Sequence, residues 1–403
     1  MTTLTDPPTQ SFQLSQLIND TRYRSYTFQF IALLLLIAGI AYLGSNLARN
    51  LAAAGLNISY DFLGEPAGYD INQRLIEYTS QSSHMSAAWV GILNTLLVAF
   101  LGCATATVLG VIAGVLRLSK NWLVAKLMAI YVEAFRNVPV LIWIIIINTI
   151  VTLLPQPRAY RGETPDAEML FGAIAFTNRA VYIPAPVWGP GSLFVVLTFI
   201  ASLFAIYFFR RWATQQLYNE GREINKLLPT LGLFFVPAVL AYLVMGAPIG
   251  VEYPELRGFN FQDGIQIQRP LIALWLALSV YTGAFIAENV RAGIQAVSKG
   301  QTEAAASLGM RPGRIMNLVV LPQALRVIIP PLISQYLNIT KNSSLAIAVG
   351  YADITATLGG ITLNQTGRAI ETILLLMLFY LTISLSISAV MNVYNDSIKL
   401  KER

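Results

Sequence analysis

Cysteine and histidine are almost missing from this chain, which has one of each, Cys103 and His84, in 403 residues. Cys103 lies in an apolar run and His84 outside one, so neither an intrachain disulfide framework nor a Cys/His zinc site is available. A membrane-embedded metalloenzyme would lack its ligands for the same reason. Charge is scarce too: Asp, Glu, Lys and Arg make up 12% of the chain, about half the share of an ordinary soluble domain, which is roughly 25%. No Gly-x-x-x-x-Gly-Lys-[Ser/Thr] run occurs, so the chain has no phosphate-cradling loop with which to hydrolyse a nucleotide.

Apolar sequence fills the space. Hydrophobic residues account for 55% of the chain and the mean hydropathy is +0.58. A spanning helix needs about 20 consecutive, mostly apolar residues. Runs of that kind predict an all-α, polytopic membrane protein with about eight transmembrane helices, over residues 28 to 48, 88 to 116, 127 to 154, 192 to 209, 228 to 247, 270 to 290, 315 to 339 and 370 to 394. The N-terminus carries 27 mostly polar residues before the first run, which reads as an uncleaved helix and not as a signal peptide. Within the seventh span, Pro322, Pro330 and Pro331 predict a kink or a break into two shorter helices.

The net charge of +6 is an orientation signal, not a sign of a nucleic-acid partner. With both termini in the cytoplasm, the inside segments hold the larger share of the 27 basic residues and the outside segments nine. That excess favours cytoplasmic termini and places the polar loop from Arg291 to Arg314 inside. The outside segments 49 to 87 and 155 to 191 are long, and the second is rich in Pro and Gly.

That inside loop contains Gly300-Gln301-Thr302-Glu303-Ala304-Ala305-Ala306-Ser307-Leu308-Gly309, with Leu321-Pro322 twelve and thirteen residues beyond Gly309. The alanines favour helix with little bulk, Thr302 is a candidate N-cap and Gly309 a candidate stop. An ordinary interfacial helix would show the same alanines, but the full spacing is more specific. It resembles the EAA loop of ATP-binding-cassette importer permeases. The flanks Tyr281 to Ile294, Pro322-Gln323-Ala324-Leu325-Arg326, Gly91 with Asn94-Thr95-Leu96, and Phe135-Arg136-Asn137-Val138-Pro139 are similar to the polar amino-acid branch of that family.

The resemblance covers residues 88 to 154 and 270 to 395; an extra first helix and an insertion near 155 to 269 look like the longer permeases of general or neutral amino-acid systems. It implies a type I importer permease fold with a cytoplasmic segment 1 to 27, an extra helix and outer segment 28 to 87, a permease domain 88 to 395 and a tail 396 to 403. It further implies ATPase coupling through Gly300, Gln301, Glu303, Ala304, Ala305, Leu308 and Gly309. The implied setting is the bacterial plasma (inner) membrane. The implied partners are cytoplasmic ATPase subunits that use ATP and Mg, an extracytoplasmic amino-acid-binding protein and a second permease of different sequence, with no cofactor on this chain. A secondary amino-acid transporter is the alternative; it predicts two similar halves with broken helices, which the sequence does not show.

Charge inside an apolar span is costly, roughly 2.5 to 3.5 kcal/mol on insertion scales, and tends to face protein or water. The substrate-pathway candidates are therefore Glu133, Arg136 and the adjacent Asn137, Glu288, and the polar cluster of Asn338, Lys341, Ser343 and Ser344 with Asn342. Glu133 and Arg136 are three apart and are expected to pair with each other, as are Glu288 and Arg291. Both pairs are equally readable as structural, and the cluster as a plain turn. Gly91, Gly110 and Gly114 are read as sites of close helix packing.

Overall fold

The computed structural model describes residues 18, 21–55, 57–162, 165–222 and 224–398. The terminal stretches 1–17 and 399–403, read above as cytoplasmic, lie outside the described residues. The chain divides into two units, Met1–Asp61 and Phe62–Arg403. The first holds α1 (Thr21–Ala53), whose apolar window is wholly exposed, as a lipid-facing helix requires.

The second unit carries α2 (His84–Leu116), α3 (Trp122–Arg136), α4 (Val140–Thr152), α5 (Ser192–Glu220), α6 (Leu227–Val244), α7 (Arg269–Gln295), α8 (Lys299–Ser307), α9 (Leu321–Asn342) and α10 (Ala369–Ile398). Among the described residues seven helices are long and apolar enough to span a membrane, or eight if α3 and α4 count as one span. The expected single helix over 127 to 154 is instead that pair, bent by 107°. Local sequence explains the bend: Asn137 closes α3, and Pro139 disfavours helical geometry at Val138 while lacking an N–H of its own to continue the ladder.

The seventh span departs from expectation in the other direction. α9 runs through Pro330 and Pro331 without a break, with both rings on exposed surface. The irregular backbone lies at its two ends: a π-helical turn at Met316–Val320 before it, and a 3-10 helix at Ser343–Val349 after it. A second π-helical run follows at Thr355–Thr362.

α7 is the centre of the unit. Leu271, Leu274, Ala277, Leu278, Ile286 and Val290 are buried against residues of α2, α4 and α9 such as Val98, Ile144 and Ile339. The glycines of α2 permit this packing. A Cβ on Gly110 would stand 2.5 Å from Ile286 Cβ, and one on Gly114 2.6 Å from the Ala287 carbonyl oxygen. Gly293 of α7 is similarly tight against Ile328 of α9.

The insertion near 155 to 269 is not purely helical. It forms β1 (Ala175–Phe176), β2 (Ala180–Ile183), β3 (Ala185–Trp188), β4 (Ile249–Glu252), β5 (Glu255–Arg257), β6 (Asn260–Gln262) and β7 (Ile265–Gln268). These make three small antiparallel sheets, β1-β2-β7, β3-β4 and β5-β6. Buried Ala175, Ala180, Tyr182 and Phe261 form their core. β7 pairs with β2 from Ala180↔Gln268 to Ile183↔Ile265 and leads directly into α7.

Candidate functional site: a coupling helix and a polar mouth

α8 is a nine-residue helix whose N-cap position is Ser298, without a side-chain cap bond. Thr302, the expected cap, lies inside the first turn instead and donates its hydroxyl to the Lys299 carbonyl at 2.6 Å. The helix ends at Leu308; the Gly309 N–H donates to the Ala306 carbonyl at 2.9 Å, and its left-handed φ of +74° turns the Met310 N–H back toward the Ala305 carbonyl at 3.4 Å. This is the usual chemistry of a glycine stop.

One face of α8 is packed and the other is bare. Ala305 is buried with Ile315 and Val320, against Ile294 and Val297 at the end of α7. Gly300, Gln301, Glu303, Ala304 and Leu308 are exposed, Leu308 by 81%. A carboxylate and a large apolar side chain thus share an open surface fixed to the end of α7. Gly309→Ala isolates the backbone requirement, because a Cβ there meets nothing within 4 Å. The substitution should cost about 1 kcal/mol, read as a small drop in melting temperature with no loss of assembled protein.

The charged candidates gather around the facing ends of α2, α3 and α7. Glu288 pairs with Arg291 as expected, at 2.5 Å, and also with Arg117 at the end of α2. Glu133 and Arg136 do not pair with each other. Glu133 faces Arg117 at 3.4 Å, while Arg136 lies 5.4 Å from the centroid of the Phe285 ring on α7. The i, i+3 rule identifies possible neighbours on one helix, but here partners on adjacent helices take precedence. Asn137 donates to the Glu133 carbonyl at 2.7 Å, closing α3.

The polar cluster at the end of α9 has no proline-made opening around it. Asn338 and Lys341 are exposed, Asn342 is half-buried, Ser343 is buried and donates to the Thr340 carbonyl at 2.7 Å, and Ser344 donates to the Lys341 carbonyl at 2.8 Å. The serine hydroxyls are committed to carbonyls in the last turn of α9.

A cavity of about 420 Å³ opens instead at the start of α7, opposite the end that carries α8. Asp70, Asn72, Gln73, Gln268 and Asn364 supply its polar wall, and Ile347, Gly350 to Ala352, Ala356 and Gly360 the rest. None of the sequence candidates lines it. Much of its wall is the irregular backbone after α9, consistent with non-helical chain in a membrane protein lying against protein or water.

The Asn94-Thr95 pair on α2 holds this wall together. Asn94 Nδ2 donates to the carbonyls of Gln73 at 2.7 Å and Ala352 at 2.9 Å, and its own carbonyl accepts from Tyr351 at 3.0 Å. Thr95 Oγ1 accepts the Ile354 N–H at 3.1 Å. Gln73 Oε1 in turn accepts the Gln268 N–H at 3.2 Å. The cavity residues come from three separated stretches, so no spacing in the sequence marks them; only the Asn-Thr step pointed nearby.

Asp353, between the spans, is fully buried, and its Oδ1 accepts the Ala356 N–H at 2.8 Å. Burial pushes its carboxyl up to about 6 from 3.8. Between those values the folded chain binds more protons than the unfolded one, so this group's contribution to stability falls as pH rises from about 4 to about 6. Asp353→Asn removes that dependence. The melting temperature of the variant relative to wild type should be more favourable at pH 7.5 than at pH 4.5, and a pH-independent difference would refute the shift.

With this geometry in place, comparison with known proteins gives the class. Residues 106–400 match the family described as the binding-protein-dependent transport system inner membrane component. The chain belongs to that family. It is 49% identical, over all of both chains, to the glutamate/glutamine/aspartate/asparagine transport system permease protein BztB of Rhodobacter capsulatus. It is 41% identical to the general L-amino acid transport system permease protein AapQ of Rhizobium johnstonii over 95% of this chain and 94% of that one. Over 94% of this chain and 95% of the other it is 43% identical to a putative amino-acid ABC transporter permease, YhdX, of Escherichia coli. A crystal structure of an amino acid ABC transporter with histidines covers 78% of this chain and 95% of its own at 19% identity and a TM-score of 0.45.

Family membership makes the chain a multi-pass inner-membrane permease subunit of an ABC importer, with the helical permease fold expected of it. It is not catalytic alone: nucleotide binding belongs to an ATPase partner, and a substrate-binding partner is implied. Nothing supports the secondary-transporter alternative.

Proposed function

We propose that this chain forms the translocation pathway of an amino-acid importer, with α8 as the surface against which a cytoplasmic ATPase docks. The observation that carries this reading is the layout of α7. One end leads to an exposed coupling helix, and the other starts at a polar mouth. ATP and Mg are held by the ATPase, whose closure moves α8 and reorients the spans. Both termini are cytoplasmic, supported by the excess of basic residues on that side.

The domain division follows: residues 88 to 154 and 270 to 395 are the permease proper, and 28 to 87 and 155 to 269 are additions. The mouth then faces the binding protein, and a second permease of different sequence completes the complex. Amino acids are the substrate class, supported by the relatives. The mouth's lining offers four amides and one carboxylate with no basic side chain, which suits polar zwitterions through hydrogen bonds.

The test is uptake by the assembled complex in vesicles, with competition from a panel of amino acids. ATP-dependent uptake and a co-purifying ATPase are expected. Uptake that survives ATP depletion, or a purified chain that brings down no ATPase in mild detergent, would overturn the proposal.

A further inference from the structure

Glu288 offers no uncommitted oxygen to a passing solute. Its Oε1 accepts from Arg291 Nη2 at 2.5 Å, and its Oε2 from Arg291 Nε at 3.1 Å and from Arg117 Nη1. Arg117 Nη2 reaches on to Glu133 Oε1 at 3.4 Å, and Asn137 Nδ2 lies 3.4 Å from Glu133 Oε2. The Arg117 and Glu288 side chains are only 16% and 22% exposed, so solvent weakens their attraction far less than it does at Glu133, which is 58% exposed.

This chain of charges joins three places. Arg117 caps the end of α2, Glu133 and Asn137 lie immediately before the 107° bend, and Glu288 sits two turns before α7 gives way to α8. A second contact runs parallel to it, from Arg136 to Phe285. The bond between α2 and α7 is of another kind, because Gly110 and Gly114 let the two helices approach so closely that a Cβ at either position would collide with α7. α3, by contrast, meets α7 near the bend largely through side chains: the charges, the Tyr131 hydroxyl on the Val280 carbonyl, and Val132 among Ala284 and Ala287.

We propose that Glu288 is a positioning residue for transport, the clasp through which displacement of α8 is passed from α7 to the bent α3–α4 pair. With the clasp closed, α3 follows α7 and the bend moves with the ATPase; with it open, α7 and the α2 packed on it move without α3. The four charges make a polar joint with discrete partners, which can be made and broken as a unit where packed apolar surfaces cannot. This inference rests on reading α8 as the ATPase contact.

The experiment uses the complete complex in proteoliposomes, with ATP hydrolysis and amino-acid uptake measured on the same preparation. Glu288→Gln should raise the ATP consumed per amino acid imported by about tenfold, while the complex assembles and hydrolyses ATP. Glu133→Gln, at the exposed end of the chain of charges, should shift the ratio by about two- to threefold in the same direction. The double variant Arg117→Gln/Glu288→Gln should be no worse than Glu288→Gln alone, because both remove one clasp.

An unchanged ratio in Glu288→Gln, a parallel fall in uptake and hydrolysis, or additive effects in the double variant would each overturn the proposal. If Glu288→Gln does not assemble, Glu133→Gln decides, since an exposed carboxylate is not needed for folding. A wild-type complex whose uptake ignores ATP removes the underlying coupling reading instead, which keeps the two failures apart.

Discussion

Gly114→Leu should eliminate the folded permease, and Gly39→Leu should leave it intact. At Gly114 a first side-chain carbon already stands 2.6 Å from the Ala287 carbonyl oxygen and 2.8 Å from Val290 Cβ. Backbone cannot retreat as a flexible side-chain tip can, so α2 and α7 must separate. Over-packing by small increments costs about 1 to 3 kcal/mol, and a leucine adds four carbons at a contact with no room for one. Separation would also open the apolar core around Ile286 and Val290, against a net stability of roughly 5 to 15 kcal/mol for a typical protein. At Gly39, on the exposed surface of α1, a Cβ meets nothing within 4 Å. Size-exclusion profiles of the two variants in mild detergent give the comparison: an aggregated Gly114→Leu beside a monodisperse Gly39→Leu is expected. A monodisperse Gly114→Leu would mean that the two helices are not in backbone contact.

Glu303→Lys should strip the ATPase from the permease without disturbing membrane insertion. The residue is exposed on α8 and makes no ion pair among the described residues, so reversal of its charge has little to break internally. A partner that supplies a hydrogen-bonded cation would lose that bond and gain a like-charge repulsion. Truncating one member of such a pair costs about 2 to 5 kcal/mol, which is a fall of at least about thirtyfold in affinity. Co-purification of ATPase with the tagged variant, alongside its level in the membrane fraction, measures both halves of the expectation. Normal transport in Glu303→Lys would refute an essential docking role.

Hydropathy made most of the spans readable because crossing a membrane is a demand on composition and length, which a sequence displays directly. It could not reveal direction. The stretch 127 to 154 is apolar enough for one helix, yet Val138-Pro139 turns the chain through 107° inside it. Pro330 and Pro331, flagged as breakers, sit in a helix that continues, while the irregular turns flank it where no proline lies within either run. The strands of the insertion are two to four residues long, too short for alternation to register.

Among functional residues, α8 was legible because its elements are consecutive. Glu133 and Glu288 were visible as charges in apolar surroundings, but their common partner Arg117 lies 16 and 171 positions away. The mouth was illegible for a related reason: Asp70, Gln73, Gln268 and Asn364 are ordinary surface residues until the fold brings them together.

The β3–β4 ladder pairs Ala185 with Glu252 and Trp188 with Ile249. Everything between those strands, including the whole α5–α6 hairpin, therefore leaves and returns through a gate only one strand spacing wide, about 5 Å. A segment with neighbouring ends can be gained or lost in evolution by a single splice, without shifting the register of β2 on β7 or the placement of α7. The neighbouring ends at Trp188 and Ile249 thus make the α5–α6 hairpin a unit that an engineer can seek to exchange as one cassette.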